Sequence, residues 1–206
     1  FTILTNANGE KEYAFIMTDI SKFHLINDYW GYETGTKILN FVLRRMELFS
    51  ASLFVNRYHS DVFVAVLDIT GRKSSDVKKQ IEEYNRQIIQ EILKTFQINY
   101  FHLNTGIYYL KDTSIPAEQI ISHTNIVREK AKTELSGVCE YNNDIALNEQ
   151  HCADTIHSFK SALKQKEFKI YFQPKICGKD QTIASAEALV RWQRGNDTMW
   201  YPDMFL

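Results

Sequence analysis

Ser52–Asp68, SLFVNRYHSDVFVAVLD, holds two apolar runs, LFV and VFVAVL, around a polar knot of Arg57, Tyr58, His59, Ser60 and Asp61. Strand-length apolar runs around a short polar turn predict a β-hairpin, and the Val-rich second run predicts a buried strand. Tight hairpin tips favour Gly or Asn because they need positive φ. This tip carries His59 and Ser60 instead, with Asp61 directly after.

Upstream, Glu12–Asp19 (EYAFIMTD) is a continuous apolar run ending in an acid. Such a run predicts a central strand covered on both faces, with Asp19 at its carboxyl end. The next stretch predicts helix, loop, helix: Ser21 caps the first, Gly31 and Gly35 break the pattern, and Thr34 or Thr36 starts the second. Ile38, Leu39, Val42, Met46 and Phe49 keep helical spacing and should face the sheet. Downstream, ITGRKSSD is a loop with Gly71 and a capping serine, followed by an amphipathic helix through Val77, Ile81, Tyr84, Ile88, Ile92 and Phe96. Ile98–Leu110 is aromatic and β-branched and predicts a long strand, with Gly106 as a bulge. Ser114 is placed as the cap of a further helix with Pro116 in its first turn and Ile120, Thr124, Val127 and Ala131 as its inner stripe. Gly137 ends that helix, and Val138–Tyr141 is a short last strand. Strands and helices alternating around one local hairpin predict an α+β sandwich of the split βαβ, ferredoxin-like type. Right-handed crossovers then set the first strand beside the hairpin and bring Asp19 close to Asp61.

A second kind of segment begins at Asp144. Cys152, Ile156, Phe159 and Leu163 make a narrow apolar stripe on a polar helix, as in a connector lying on a neighbour. Phe168–Pro174 and Ile183–Trp192 are two more strands joined by a GKDQ turn.

The 206 residues are 44% hydrophobic and 24% charged with net charge −1, enough for one full domain and part of another. Near-neutral charge argues against nucleic acid as a partner. Cys139, Cys152 and Cys177 are scattered with no C-x-x-C pair, which fits a reducing cytoplasm and structural thiols. No apolar run approaches the ~18 residues of a membrane span, so no membrane contact is expected within the chain. The chain opens on Phe1 rather than Met and reads as part of a longer protein, whose upstream portion could include a sensor or membrane anchor.

Residues from about Tyr13 to Tyr141 resemble the GGDEF family, the diguanylate cyclase domains. The resemblance rests on TDISKFHLINDYWGYETG, on RYHSDVFVAVL in the signature place and on the REKAK helix. From Phe168, FQPK, AEALVRW and YPDMF resemble the start of the EAL family, the cyclic di-GMP phosphodiesterases. The order is that of tandem GGDEF–EAL proteins, which implies a degenerate GGDEF-like domain over 1–142, a linker helix over 143–167 and an incomplete EAL start over 168–206. The implied fold is a nucleotide-cyclase-like sandwich with a mainly antiparallel five-stranded sheet flanked by helices, followed by a truncated barrel fragment.

The family signature is Gly-Gly-Asp/Glu-Glu-Phe; here it is His59, Ser60, Asp61, Val62 and Phe63, which keeps only the third and fifth positions. A Cβ at the two glycine places crowds the approach of phosphates, and Val62 can neither bind metal nor handle protons. The resemblance therefore implies no catalytic residues. It implies Mg²⁺ between Asp19 and Asp61 with a backbone carbonyl near Ile20. It also implies guanine reading by Asn27, with Thr36 where the family has an acid, and phosphate contact by Lys132, with Ser136 in the place of a following Arg. The inhibitory product site, Arg-x-x-Asp, falls on Ser50–Leu53 and is absent. If the two acids stand ~4 Å apart, they repel by ~4 kcal/mol at an effective dielectric of 20, which a metal or a proton would relieve. Otherwise they stand further apart, solvated or capping amides. His59 reads as a turn residue, His24 and His102 as surface residues, and Arg57 as a structural partner of Asp61 or a helix end.

In the EAL-like segment, Glu187 matches a metal-binding acid, Gln173 a dinucleotide contact and Arg191 a phosphate contact. The barrel needs about 250 residues and Phe168–Leu206 offers fewer than forty, so phosphodiesterase chemistry is not expected of this chain. Three readings stay open. One is a non-catalytic regulatory domain acting on a C-terminal EAL domain, with GTP as its ligand or with none. The others are a ligand-free homodimerisation or interaction module, and a residual cyclase.

Overall fold

The computed structural model describes residues 11–110, 115–195 and 198–205. The chain forms two units, Phe1–Tyr141 and Asn142–Leu206.

The first unit is built on β1 (Tyr13–Ile20), whose eight residues are all buried. Helix α1 (Phe23–Glu47) leads to the hairpin β2 (Ser52–His59) and β3 (Val62–Asp68), followed by α2 (Ser74–Phe96), β4 (Leu103–Leu110), α3 (Ala117–Ala131) and β5 (Val138–Glu140). The sheet order is β2-β3-β1-β4-β5, antiparallel except for the β4/β5 pair. This is the α+β sandwich expected, with β1 beside the hairpin.

Alternation along β1 sorts its side chains between two cores. Ala14, Ile16 and Ile20 join Ile38 and Val42 of α1 and Ile81, Ile88 and Ile92 of α2 on one face. Phe15 and Met17 join Val62, Val64, Tyr108 and Ile120 on the other, the face that α3 covers. Asp19, two residues beyond Met17, therefore belongs to the α3 face.

Several local expectations are corrected. Ser21 does not cap α1: the N-cap is Lys22, in the left-handed region at φ 52° with no side-chain bond, and the Ser21 amide donates to the His102 carbonyl. Neither Thr34 nor Thr36 starts a new helix. The break expected at Gly31 is present (φ 83°, ψ 155°), two helical segments meeting there, but Thr36 lies inside the second segment, its hydroxyl donating to the Tyr32 carbonyl. Gly35 is buried within the same helix. No serine caps α2, whose N-cap is Lys73. The strand expected from Ile98 begins at Leu103; Ile98 and Phe101 are buried outside it. Gly106 is no bulge, because its register with Met17 and Cys139 is regular. Helix α3 has Pro116 as its N-cap, and the proposed cap Ser114 lies outside the described residues. The helix ends at Ala131, before Gly137, and the last strand stops at Glu140.

The second unit holds α4 (Asn143–Lys164), capped by the Asn142 side chain accepting from the Ile145 amide at 3.0 Å. The antiparallel strands β6 (Phe168–Ile176), β7 (Ile183–Arg194) and β8 (Thr198–Trp200) follow. Its centre is Trp192, fully buried, with its ring against Phe168 at 4.9 Å and near Phe159, Trp200 and Phe205. On α4 the stripe residues Cys152, Ile156, Phe159 and Leu163 are exposed, with Phe159 also meeting the Phe168 and Trp192 rings. All three cysteines are unpaired thiols, and burial pushes that of Cys139 up. Among the described residues no helix is long and apolar enough to cross a membrane.

Candidate functional site

The carboxyl end of β1 opens into a cleft of about 1030 Å³. Its lining includes Asp19, Ile20 and Lys22 from the β1–α1 corner, Asn27, Tyr32 and Thr36 from α1, Arg57, Ser60 and Asp61 from the hairpin, and Arg128, Glu129 and Lys132 from α3 and its end. The residues singled out in the sequence as nucleotide contacts, Asn27, Thr36 and Lys132, thus share one cavity with the two acids. His24 lines it as well; His59 does not.

The hairpin reaches the cleft because its strands run further than the apolar runs imply. Arg57, Tyr58 and His59 belong to β2, and only Ser60 and Asp61 make the turn. Ser60 takes φ 45°, the left-handed conformation that a glycine adopts freely. Arg57 pairs with neither Asp61 nor a helix end; its Nε donates to the Ser60 carbonyl and ties the tip back to its own strand. Val62 is buried in the α3-side core and Phe63 in the other.

Asp19 stands in register with Val62 on β3 and Asn104 on β4. Its Oδ1 accepts from Asn104 Nδ2 at 2.7 Å. Its Oδ2 pairs with the Arg128 guanidinium through Nη1, and Lys132 Nζ stands 3.5 Å away. The two side chains of the Asp19–Arg128 pair are 8% and 10% exposed. Arg128 is held in turn by Asn125, whose Oδ1 accepts from Nη2 at 2.7 Å, and by Glu129. Lys132 Nζ lies 2.6 Å from Glu129 Oε2, and this hydrogen bond leads in holding the Glu129 carboxyl below its ordinary range. The charges of Arg128 and Lys132 add to it against a desolvation that works the other way. Asn104 Oδ1 is buried without a partner among the described residues.

Sequence reading offered a metal ion or a proton to neutralise Asp19, or else solvent and amides. The structure places a guanidinium there. The signal was present: Arg128 falls on the inner stripe of α3, one turn after Thr124 and three residues before Ala131. A charged residue on a buried stripe needs a buried partner.

A divalent ion does not fit beside Asp19 as the site is built. Both carboxylate oxygens are engaged, and an ion 4 Å from the guanidinium would be repelled by about 8 kcal/mol at an effective dielectric of 20. Among the described residues no group of three or more His, Cys, Asp or Glu side chains is arranged to hold a metal.

In the second unit, Gln173 and Glu187 are register partners on β6 and β7, both exposed. Lys175 Nζ lies 3.4 Å from Glu187 Oε2. Arg191 donates to the Val190 carbonyl at 2.7 Å and stacks over Tyr201.

Over 203 residues the chain is 21% identical to the bifunctional diguanylate cyclase/cyclic di-GMP phosphodiesterase MucR of Pseudomonas aeruginosa, covering 96% of this chain and 29% of that protein. It is 25% identical over 181 residues to the signaling protein YkoW of Bacillus subtilis, covering 84% and 22%. The chain therefore spans less than a third of the length of either relative. The GGDEF domain of DgcB from Caulobacter crescentus, solved in complex with c-di-GMP, has the same fold (TM-score 0.54, 19% identity, 65% of this chain and 80% of that one). The S helix-GGDEF-EAL structure of Vibrio cholerae LapD, bound to c-di-GMP, matches 98% of this chain and 47% of its own at TM-score 0.54 and 14% identity. Residues 2–136 match the family described as diguanylate cyclase, GGDEF domain. With well over half of its length inside that match, the chain belongs to the GGDEF family.

Proposed function

We propose that the first unit is a non-catalytic GGDEF domain that senses GTP and regulates an EAL phosphodiesterase downstream in the same cytoplasmic cyclic di-GMP signalling protein. The observation that carries this reading is the state of Asp19, whose carboxylate is committed to Arg128 and Asn104. Cyclisation joins the 3′-hydroxyl of one GTP to the α-phosphate of another, with metal ions neutralising the developing charge. A site whose metal acid already holds a guanidinium, and whose next signature acid is the buried Val62, lacks those parts. Asn27, Thr36 and Lys132 around one cleft still suit a guanine nucleotide, which favours a sensor. Domain boundaries follow the same reading, with a GGDEF domain over 1–142, a linker over 143–167 and an EAL start over 168–206 carrying Gln173, Glu187 and Arg191.

Calorimetry with GTP tests the sensor directly. Saturable heat at or below millimolar GTP is the expected outcome, and its absence removes GTP as the ligand. Chromatography after incubation with GTP tests for residual cyclase: cyclic di-GMP formed by the chain and abolished by Asp61→Ala would overturn the non-catalytic reading.

One observation favours the alternative of an interaction module. Strand β2 is the open edge of the five-stranded sheet and exposes Leu53, Phe54 and Tyr58, and such an edge invites a further strand. A homodimer in solution that Phe54→Lys dissolves, with no GTP heat, would select that reading.

A further inference from the structure

Arg128 reaches Asp19 because the helix carrying it comes unusually close to the sheet. A Cβ on Gly106 would meet the Thr124 carbonyl oxygen at 2.4 Å and the Arg128 amide nitrogen at 2.6 Å, both backbone atoms of α3. Only glycine at that point of β4 lets α3 settle with its guanidinium over the end of β1. The closeness, the burial of both partners and the support from Asn125 and Glu129 make the pair part of the fold rather than a surface accident.

The charges around it close on themselves. Asp19 and Glu129 contribute two negative charges, Arg128 and Lys132 two positive ones, all within direct contact. The carboxylate that would receive a divalent cation is already neutralised by the chain. Arg128 and Lys132 both line the cleft that Asn27 and Thr36 enter from α1.

We propose that Arg128 is a resident cation that has taken the place of a divalent metal beside Asp19, so that the cleft binds the phosphates of a guanine nucleotide as the metal-free anion. The choice of ligand rests on the GTP-sensor reading; the exclusion of the metal rests on the Asp19–Arg128 pair alone. Asp19, Asn125 and Glu129 already take four of the five guanidinium N–H groups, so Arg128 acts as a fixed charge, and the 41%-exposed Lys132 presents its mobile ammonium to phosphate oxygens at the cleft wall. Binding of this kind would respond to nucleotide concentration and not to Mg²⁺.

Two measurements on the chain as it stands test the proposal. The first is Mn²⁺ titration followed by electron paramagnetic resonance, without nucleotide, on the wild type, Asp19→Asn, Arg128→Lys, Arg128→Met, Arg128→Gln and the Arg128→Met/Asp19→Asn pair. The wild type and Arg128→Lys should hold no Mn²⁺ at the site. A neutral residue at 128 should admit the ion with affinity raised at least about tenfold, and Asp19→Asn should abolish the gain. Arg128→Gln covers the case in which the Met variant fails to fold. Mn²⁺ bound by the wild type and lost in Asp19→Asn would overturn the proposal, as would a folded neutral variant that gains no site. The second is calorimetry of GTP in excess Mg²⁺ and in EDTA. The expected Kd values agree within about threefold or favour EDTA, and tightening by Mg²⁺ of about tenfold or more overturns the proposal. No heat in either buffer would remove the GTP-sensor reading, while the Mn²⁺ titration would still decide whether Arg128 excludes the metal.

Discussion

Replacing Arg128 by Met and Asp19 by Asn, singly and together, measures how far the fold depends on this pair. Removing one partner of a buried ion pair costs about 3–5 kcal/mol, because the other charge is left uncompensated. Here neither survivor is stranded. Asp19 would keep Asn104 at 2.7 Å and Lys132 at 3.5 Å, and Arg128 would keep Asn125 and Glu129. Lys132 and Glu129 are 41% and 50% exposed, so as partners they offset no more than about 1 kcal/mol. Each single substitution is therefore expected to cost about 2–4 kcal/mol. The double variant carries neither charge and should lose much less than the sum, giving a coupling of about 2 kcal/mol. At about 2–4 °C per kcal/mol for a chain of this size, each single variant should melt roughly 4–16 °C lower, and native stabilities of about 5–15 kcal/mol leave it folded. Urea unfolding followed by circular dichroism gives the free energies, and hydrogen exchange in β1 and β4 assigns the loss to the first unit. Singles that cost under about 0.5 kcal/mol, or a cycle additive within that margin, would refute the argument.

Four further outcomes are expected. Gly106→Ala drives a Cβ into two backbone atoms that cannot yield and should cost about 3 kcal/mol or more in the urea midpoint, far beyond an ordinary strand substitution. Gly35→Ala places its Cβ 2.0 Å from Asn27 Oδ1, the far end of a flexible side chain. It should leave stability near that of the wild type while weakening GTP in calorimetry by about tenfold, as Asn27 turns aside. Glu129 is held below its ordinary value near 4.5, so its contribution is present above that value and lost as pH falls through the lowered pKa. The urea midpoint should drop over that interval, and Glu129→Gln should flatten the drop. Trp192→Ala empties the centre of the second unit and should cost about 3–5 kcal/mol, read as loss of the near-ultraviolet dichroism of Trp200 and its neighbours.

Much of the fold was legible because its signals are local. The buried run of β1, the hairpin and the stripes Ile38–Val42, Val77–Ile92 and Ile120–Ala131 each follow from side-chain period, and each is buried where its period says. The misses share a different cause. Ser21, a serine of ITGRKSSD and Thr34 or Thr36 look like caps because cap chemistry is at hand, but the chain enters α1 and α2 through lysines with no side-chain bond, and Thr36 lies inside α1. Gly106 looked like a bulge because a glycine inside a strand reads the same whether it bends the strand or makes room for a helix. The strand expected from Ile98 started late because burial at Ile98 and Phe101 does not require pairing.

The candidate site divides along the same line. Asp19, Asn27, Asp61 and Lys132 were found from residue type and motif, and all of them line the one cleft. Arg128 stands in the REKAK run, and sequence alone assigns it no role. Its role depends on a partner 109 positions away, reached only once β1 and β4 lie side by side and Gly106 lets α3 close on them. Side-chain periodicity determines which face of a strand or helix is buried, because that is a property of a few consecutive residues. Which cation meets the Asp19 carboxylate is a property of the packed whole, since charge neutralisation in a buried site is decided by whatever the fold brings within a few ångströms.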